Sequence, residues 1–270
     1  MAGVATRIAI AGASGRMGRM LIDAALADPQ VAITALLDRA DSPALGTTLG
    51  TTPAGTSIAI TSDVAAALAV SSVLIDFTRP EGTLAHLAAC VAARKAIVIG
   101  TTGFDTAGKA AIAKAAETIP VVFAPNMSVG VNVVFKLLEL ATQALGDQYD
   151  VEIFEAHHSK KVDAPSGTAL GMGEAVARAR GVKLEDVADW ARHGHTGERE
   201  AGRIGFSVVR GGDVIGDHTA FFLGTGERVE ISHRSSSRNG YAQGAVRAAK
   251  WLGGKAAGLF DMQDVLGLRG

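Results

Sequence analysis

The first half of the chain alternates short apolar runs with segments of helical periodicity, and this alternation limits the fold more than any other feature. Apolar runs with no polar face predict strands that are buried on both sides, which occur in parallel sheets covered by helices. Right-handed crossovers between such strands give a doubly wound α/β domain. The predicted strands are Thr6–Ala11, Val31–Asp38, Ser72–Phe77, Ala96–Gly100 and Val121–Ala124, and the predicted helices are Arg16–Ala27, Asp63–Ala69, Glu81–Arg94 and Thr106–Thr118.

The second half has a different pattern, in which strands follow one another without helices between them. The consecutive apolar runs Gly205–Arg210, Val214–Leu223 and Glu227–Ser235 predict a mixed or antiparallel sheet and therefore a second, α+β domain. The other predicted elements of this half are the helices Val129–Leu145 and Gly167–Arg180, the strand Asp150–Ala156 and a helical tail at Gly240–Gly253. We predict a dinucleotide-binding domain from residues 1–128 with 239–270, and a second domain from residues 129–238.

Composition excludes several classes of protein. In 270 residues, 48% are hydrophobic and 20% are charged, which argues against disorder. A formal net charge of −1 gives no general attraction to nucleic acid or to acidic membranes, so we expect neither as a partner. The single cysteine, Cys90, falls inside a predicted helix, which favours a packing role and a reducing compartment.

The apolar segments are too short or too interrupted to suggest a signal peptide or a membrane helix. Only four apolar residues lie between Arg7 and Gly12, and the apolar stretch Val121–Phe135 is broken by Pro125 and Asn126. We therefore expect a cytoplasmic protein.

A glycine-rich turn, Gly12-Ala13-Ser14-Gly15-Arg16-Met17-Gly18, joins the first strand to the first helix. Its spacing predicts a turn at Gly12, a close backbone approach to a pyrophosphate at Gly15, and helix-to-sheet packing at Gly18. The helix N-terminus offers free N–H groups to phosphates. Asp38 follows Gly18 by about 20 positions, the separation at which a carboxylate accepts a ribose hydroxyl in dinucleotide-binding folds. The alternative is that the glycines form only a turn.

Asp38 and Arg39 leave the choice of cofactor open. The carboxylate of Asp38 should repel the 2′-phosphate of NADPH, whereas the guanidinium of Arg39, with Arg16 nearby, is able to pair with it. We therefore expect NADH or NADPH. The alternative for Arg39 is a solvated loop charge.

A second cluster, Glu155–Thr168, leaves a strand, forms a cationic loop and enters a helix. Ser166 lies at the expected helix start, so the amides of Ser166, Gly167 and Thr168 are predicted to hold a carboxylate. His157, His158, Lys160 and Lys161 supply positive charge and transferable protons. This combination suits the reduction of an anionic substrate with proton delivery.

Simpler interpretations of this cluster stay open. Adjacent histidines are able to bind a metal, but no carboxylate or cysteine cluster with ligand spacing accompanies them, so we predict no metal site. A Lys-Lys pair is usually a solvated surface, and Ser166 is expected to cap the helix even if it also binds substrate. Lys161 as a Schiff-base nucleophile has no support beyond its residue type.

Taken together, the motifs resemble the dihydrodipicolinate reductase family, the nicotinamide-dependent 4-hydroxy-tetrahydrodipicolinate reductases of diaminopimelate and lysine biosynthesis. The resemblance covers nearly the whole chain in order. It rests on Gly12–Gly18, Asp76–Gly82, Gly100–Phe104, Asn126–Gly130, Glu155–Leu170, Gly194–Arg199 and Ser235–Arg238.

The resemblance implies a role for each matched residue. His157 is implied as the acid/base residue and Lys161 as the proton donor, with His158, Ser166, Gly167 and Thr168 binding a small dicarboxylate. The implied cofactor-binding residues are Gly12, Ala13, Ser14, Gly15, Arg16, Met17, Asp38, Arg39, Gly100, Thr101, Thr102, Ala124, Pro125, Asn126 and Met127.

The chain departs from the family pattern at a few positions. The family often has Glu at Asp38, the enterobacterial form has His at Lys160, and Pro125 removes a backbone donor from the cofactor loop. These departures bear on affinity more than on reaction type.

The resemblance also implies a homotetramer. Two rival functions are a homoserine-dehydrogenase-like enzyme and a non-catalytic nicotinamide sensor, and the histidine–lysine cluster disfavours both.

Overall fold

The computed structural model describes residues 5–51 and 57–269, and these residues form two compact units. The first unit comprises Met1–Val129 with Asn239–Gly270, and the second comprises Gly130–Arg238. The chain therefore enters the second unit once and returns to complete the first. This division does not test which unit binds the dinucleotide and which binds the substrate, so these two roles stay predictions.

The elements are numbered in chain order. The strands are β1 Thr6–Ala11, β2 Val31–Leu37, β3 Thr48–Thr51, β4 Ser57–Thr61, β5 Val73–Asp76, β6 Ala96–Ile99, β7 Pro120–Phe123, β8 Asp150–His157, β9 Ala188–Asp189, β10 Ile204–Arg210, β11 Gly216–Leu223, β12 Arg228–Ser235 and β13 Gly258–Phe260. The helices are α1 Arg16–Leu26, α2 Val64–Val70, α3 Pro80–Ala93, α4 Thr106–Ala116, α5 Val129–Leu145, α6 Gly167–Ala179, α7 Leu184–Val187, α8 Asn239–Trp251 and α9 Met262–Leu266.

The first unit is the predicted doubly wound α/β fold. Its sheet has the order β13-β7-β6-β5-β1-β2-β4-β3, and its pairs are parallel except that β3 runs antiparallel to β4. Alternate residues of β1 enter opposite cores: Ile8 and Ile10 pack with α1 and α8, and Ala9 and Ala11 pack with α2, α3 and α4. Both faces of the sheet are therefore covered, as strands that are apolar on both sides require.

The topology of this sheet places several predicted cofactor residues at the carboxyl-terminal ends of its parallel strands. Consecutive connections run from β1 to β2 on one side and continue at β5 on the other side of β1. Ligands of open α/β sheets bind outside the carboxyl ends of the strands at such a reversal. Gly12, Asp38, Gly100 and Ala124 each follow the carboxyl end of a parallel strand, and Ala13 N donates to Leu37 O across the edge at 2.9 Å.

The second unit has the mixed sheet predicted from the sequence, in the order β12-β11-β8-β10-β9. The central strand β8 is parallel to β10 and antiparallel to β11. Val151 and Ile153 of β8 pack on one face against α5 and α6. Because side chains alternate along a strand, Glu155 and His157 continue this same buried face toward the end of β8.

One helix in the described part of the chain, Val129–Gln148 with its 3-10 end, is long and apolar enough by composition to cross a membrane. Val134 and Leu138 of this helix are buried in the core of the second unit, and 28% of the apolar window as a whole is buried. A single helix that passes this test by length and composition is weak evidence for a membrane span.

Candidate functional site

The glycine turn between β1 and α1 forms a backbone cradle at the edge of the first unit. Gly12 adopts a left-handed conformation (φ +67°), which favours glycine. A Cβ at Gly18 would overlap Gly12 O and Ala13 Cα, so the helix packs this closely only because Gly18 lacks a side chain. Gly15 is the N-cap of α1, and among the described residues no side chain caps this helix. The cradle therefore fits the pyrophosphate of a dinucleotide.

Asp38 is oriented by the same turn. Its Oδ2 accepts hydrogen bonds from Ser14 N at 3.1 Å and from the Ser14 hydroxyl, and its Oδ1 accepts from Arg39 N at 2.9 Å. Partial burial would raise the pKa of Asp38, but these hydrogen bonds outweigh it, so the pKa lies below its ordinary value. The carboxylate is an ionised acceptor at the place where the sequence predicts ribose recognition. Arg39, in contrast, is largely exposed and pairs with Asp41 at 3.1 Å.

Several predicted cofactor residues have buried side chains. Ala13, Ala124 and Met127 lie in the apolar core, so only their backbone atoms are available to a ligand. Gly100 lies against the ring of Phe77, which a Cβ would overlap. Asn126 Oδ1 accepts a hydrogen bond from Ser128 N at 2.9 Å and thereby shapes the loop after β7.

A buried network around Asp76, which the sequence analysis missed, supports Thr101 in the first unit. Asp76 ends β5 and is fully buried, and its Oδ2 lies 2.6 Å from Nδ1 of His86. Thr83 Oγ1 lies 3.0 Å from Asp76 Oδ1 and 2.8 Å from Thr101 Oγ1. Burial would raise the pKa of Asp76, but the interactions with His86 and Thr78 lower it overall. The Thr101 hydroxyl is thus engaged within the protein.

The cluster of the second unit is built around Glu155, whose side chain is only 1% exposed. Glu155 Oε2 lies 2.6 Å from His157 Nδ1, and its Oε1 accepts from Ser166 N at 2.9 Å. Arg210 donates to both oxygens, at 2.7 and 2.8 Å. Burial would raise the pKa of Glu155, but Arg210, His157 and Ser166 lower it overall, so Glu155 is a buried carboxylate anion.

The contact between Ser166 and Glu155 corrects one prediction. Ser166 N donates to Glu155, so this amide is not open to a substrate carboxylate as the sequence suggested. The carboxylate that this amide binds is that of Glu155, eleven residues earlier in the chain. The predicted capping role of Ser166 is confirmed, because its Oγ accepts from Ala169 N at 3.2 Å. Gly167, the first residue of α6, is exposed, and a Cβ there would meet nothing within 4 Å.

Lys161 is held by an ion pair in the loop before α6. Its Nζ lies 2.8 Å from both carboxylate oxygens of Asp163, and its side chain is 19% exposed. The pKa of Asp163 is lowered chiefly by the hydrogen bond from Lys161. Arg210 also donates to Asp163 O at 2.7 Å, so one guanidinium ties the Lys161 loop to the Glu155 and His157 end of β8. Lys160 is exposed.

Three histidines lie around the end of β8. The ring of His218 from β11 is edge-on to that of His157, with centroids 5.0 Å apart, and its Nε2 lies 3.0 Å from Ser166 Oγ. Burial, followed by the nearby His157, lowers the pKa of His218 to about 4, so this ring is neutral at pH 7. Among the described residues, His158 Nδ1 and His218 Nδ1 are buried without a hydrogen-bond partner.

Sequence reasoning missed Glu155 as a site residue, as well as Arg210, Asp163 and His218. The signal for Glu155 was present, because Val151 and Ile153 predict the buried face that Glu155 and His157 continue. No comparable signal marks Arg210, which pairs with Glu155 across 55 residues. Cys90 is buried in α3, as predicted, and burial raises the pKa of its thiol to about 12.

Comparison with known proteins gives one consistent family. The family models described as "Dihydrodipicolinate reductase, N-terminus" and "Dihydrodipicolinate reductase, C-terminus" match residues 6–127 and 130–266. The 4-hydroxy-tetrahydrodipicolinate reductase of Bordetella parapertussis is 63% identical, with 97% of both chains covered. The corresponding protein of Cupriavidus pinatubonensis is 62% identical, with 97% of this chain and 99% of its own length covered.

A solved structure, the dipicolinate-bound dihydrodipicolinate reductase from Paenisporosarcina sp. TG-14, is similar in fold. It is 25% identical, covers 97% of this chain and 99% of its own, and has a TM-score of 0.77. The family models, the curated relatives and this solved structure therefore all carry the name of one family.

Proposed function

This chain belongs to the dihydrodipicolinate reductase family, and we propose that it reduces 4-hydroxy-tetrahydrodipicolinate to tetrahydrodipicolinate, with loss of water, in diaminopimelate and lysine biosynthesis. The curated relatives that carry this name match it over 97% of its length. The enzyme is an oxidoreductase that uses a pyridine nucleotide. The observation that carries the proposal is the second-unit cluster, in which Arg210 ties a Glu155-bound histidine to the loop of Lys161.

The first unit holds the cofactor at the carboxyl edge of its sheet. A bound reduced nicotinamide supplies the hydride. The start of α1, which lacks a side-chain cap, would hold the pyrophosphate, and Asp38, oriented by Ser14, would accept hydrogen bonds from the adenosine ribose. Residues of the loops after β6 and β7, Gly100–Thr102 and Ala124–Met127, line the remainder of the cofactor through backbone atoms and exposed side chains.

The second unit holds the dicarboxylate and moves protons. The backbone N–H groups of Gly167 and Thr168, at the N-terminus of α6, donate hydrogen bonds to one carboxylate, and His158 with Lys161 offsets negative charge. Lys161 delivers the proton that completes the reduction, and His157 orients the substrate or relays a proton. Water is lost as the C–O bond breaks and a neighbouring ring carbon gives up a proton, and the resulting double bond then gains one hydride and one proton.

The chemistry of Asp38 and Arg39 favours acceptance of both NADH and NADPH. Asp38 already accepts two hydrogen bonds from Ser14, and an adenosine ribose hydroxyl is able to join them. The guanidinium of Arg39 forms an exposed ion pair with Asp41, a contact that is worth little and is easily exchanged for a 2′-phosphate.

The remaining parts of the proposal are a homotetramer and a cytoplasmic location. The strand β12 lies at one edge of the second sheet and is eight residues long, and an edge strand of this length is able to pair with another subunit. Light scattering of the purified protein should give four times the chain mass of 27.6 kDa.

The test of the activity is a coupled assay, in which a second enzyme supplies the hydroxylated ring. Purified dihydrodipicolinate synthase generates the substrate, and the loss of NADH or NADPH absorbance is followed. We expect cofactor consumption that requires both the synthase and this chain. No consumption with either cofactor would favour the rival interpretations, a nicotinamide sensor or a dehydrogenase of another aspartate-derived metabolite.

A further inference from the structure

We propose that Glu155 is a positioning residue for this reaction: it fixes the tautomer of His157 and the start of α6 at the same time. The proposal rests on the proposed function, since it assumes that His157 exchanges a proton with the substrate. It assigns a role to a residue that does not itself face the substrate, because its carboxylate is enclosed by protein groups.

The contacts of Glu155 leave its carboxylate fully engaged. Oε2 receives His157 Nδ1 and Arg210 Nη1, and Oε1 receives Ser166 N and Arg210 Nη2, at distances from 2.6 to 2.9 Å. Each oxygen therefore has one contact from Arg210 and one from another group, which is His157 at Oε2 and the Ser166 amide at Oε1. A buried carboxylate with such partners is held in one orientation.

This arrangement determines which nitrogen of His157 carries the proton. An ionised carboxylate only accepts hydrogen bonds, so Nδ1 of His157 must donate to Glu155. In the neutral ring Nε2 then carries the lone pair. No residue in the described ranges hydrogen-bonds to Nε2, and the absence of a side chain at Gly216 leaves room beside it, where a Cβ would lie 3.0 Å away. Nε2 is thus the atom through which His157 accepts and returns a proton.

The carboxylate of Glu155 also connects His157 to the N-terminus of α6. Ser166 N donates to Glu155, and Ser166 Oγ caps α6 and contacts His218 Nε2. Displacement of Glu155 would therefore move both the proton-transfer group and the amides of the first turn. Among the described residues, the charged and titratable groups around His157 and its neighbour His218 include Glu155 on the strand of His157, Arg210 on β10, His233 on β12, and Lys161 in the following loop.

The Glu155→Gln variant tests the tautomer directly. At the Oε1 position the new amide NH₂ would meet two groups that can only donate, Ser166 N–H and Arg210 Nη2. At the Oε2 position it would meet one such donor, Arg210 Nη1, and His157 Nδ1, which accepts in its other tautomer, so the NH₂ should turn toward His157. Nδ1 would then have to accept, and the proton would move to Nε2. Nitrogen NMR of the imidazoles at alkaline pH should show the signals of the two ring nitrogens exchanged, with the His157 resonances assigned by their loss in His157→Asn.

Kinetics of the same variant give a second readout. We expect kcat to fall by roughly 10- to 100-fold, less than the full contribution of a positioned acid or base, because His157 itself is retained. In a His157→Asn background, Glu155→Gln should lower kcat by less than about twofold, since a residue that acts through another shows strong coupling.

Glu152→Gln is the matched control. Glu152 lies on the same strand and is also paired with two arginines, Arg192 and Arg199, but these lie apart from His157. Its kcat and its histidine NMR spectrum should equal those of the wild type. The inference is overturned if Glu155→Gln keeps the wild-type tautomer, or if its effect on kcat persists undiminished without His157. A wild-type protein without reductase activity would instead overturn the proposed function, and the tautomer measurement would still stand.

Discussion

The two units make their sites in different ways. In the first unit, a glycine turn and an uncapped helix start present backbone groups, and nearly all of the cradle comes from one stretch, Gly12–Gly18. In the second unit, the site depends on side chains that meet across strands, with Glu155 of β8, Arg210 of β10 and His218 of β11 around one histidine. A site made of backbone groups is determined by consecutive residues in the sequence. A site made of ion pairs depends on which strands become neighbours in the sheet and in which register they pair.

This comparison predicts that the second unit is sensitive at single charged side chains. The largest effect should be that of Lys161→Ala, which removes the proposed proton donor and should lower kcat by about 10²–10⁴-fold. Lys160→Ala is the control, because this neighbour is exposed and has no assigned role, and its kcat should stay near the wild-type value. Steady-state assays of both variants check the prediction, and equal losses would show that charge in the loop, rather than Lys161 itself, matters.

The buried His218 should add a pH dependence to the stability of the second unit. The folded-state pKa of His218 is about 4 against an ordinary 6.5, so the unfolded chain takes up a proton first as the pH falls. Stability is therefore lost between pH 6.5 and about pH 4, by up to about 3 kcal/mol from this group. His218→Gln should lose less stability over this range, whereas His193→Gln, at an exposed position, should follow the wild type.

Urea unfolding measures this difference if the signal comes from the second unit alone. Trp190 stacks on Phe206 in that unit, so fluorescence in a Trp251→Phe background reports on it. Identical pH slopes for the wild type and His218→Gln would contradict the assignment of a buried neutral ring.

The first unit should instead be sensitive to substitutions that add a side chain where its backbone is closely packed. Gly18→Ala would force a Cβ against Gly12 O, which should cost about 1–3 kcal/mol and weaken nucleotide binding roughly tenfold or more. Gly211→Ala is the control, since a Cβ there meets nothing within 4 Å. Thermal unfolding and nucleotide titration check both effects, and a Gly18→Ala protein with unchanged nucleotide affinity would refute the cradle.

The smallest expected effect concerns cofactor choice. Arg39→Ala should raise the KM for NADPH about five- to tenfold, equivalent to about 1 kcal/mol, and leave the KM for NADH unchanged. Asp41→Ala should leave the KM for NADH at its wild-type value and should not raise that for NADPH, because it releases Arg39 from its pair. An unchanged NADPH value in Arg39→Ala would remove Arg39 from phosphate recognition.

Much of the fold could be predicted from the sequence, because its signals are local. The strands around the glycine turn were predicted to within one or two residues, and β1 and α5 were predicted with their observed bounds. The missed elements β3, β4, β9, β13, α7 and α9 have only two to five residues each, too few to show a period.

The candidate site was predictable only in part. The histidine–lysine loop and the Ser166 cap could be read from consecutive residues, but the amide of Ser166 was assigned to substrate although Glu155 accepts it. That contact, and those of Arg210, depend on which strands become neighbours and in which register. A single sequence carries no direct record of pairing across 55 residues.

Transfer of a labelled hydride tests the central claim most directly. Cofactor that carries deuterium at the transferred position of the nicotinamide is supplied with the freshly generated hydroxylated ring, and the product is analysed by mass spectrometry. The account predicts tetrahydrodipicolinate that carries the deuterium, formed by the wild type and strongly reduced in Lys161→Ala. Cofactor oxidation that leaves the product without deuterium, or no oxidation at all, would contradict it.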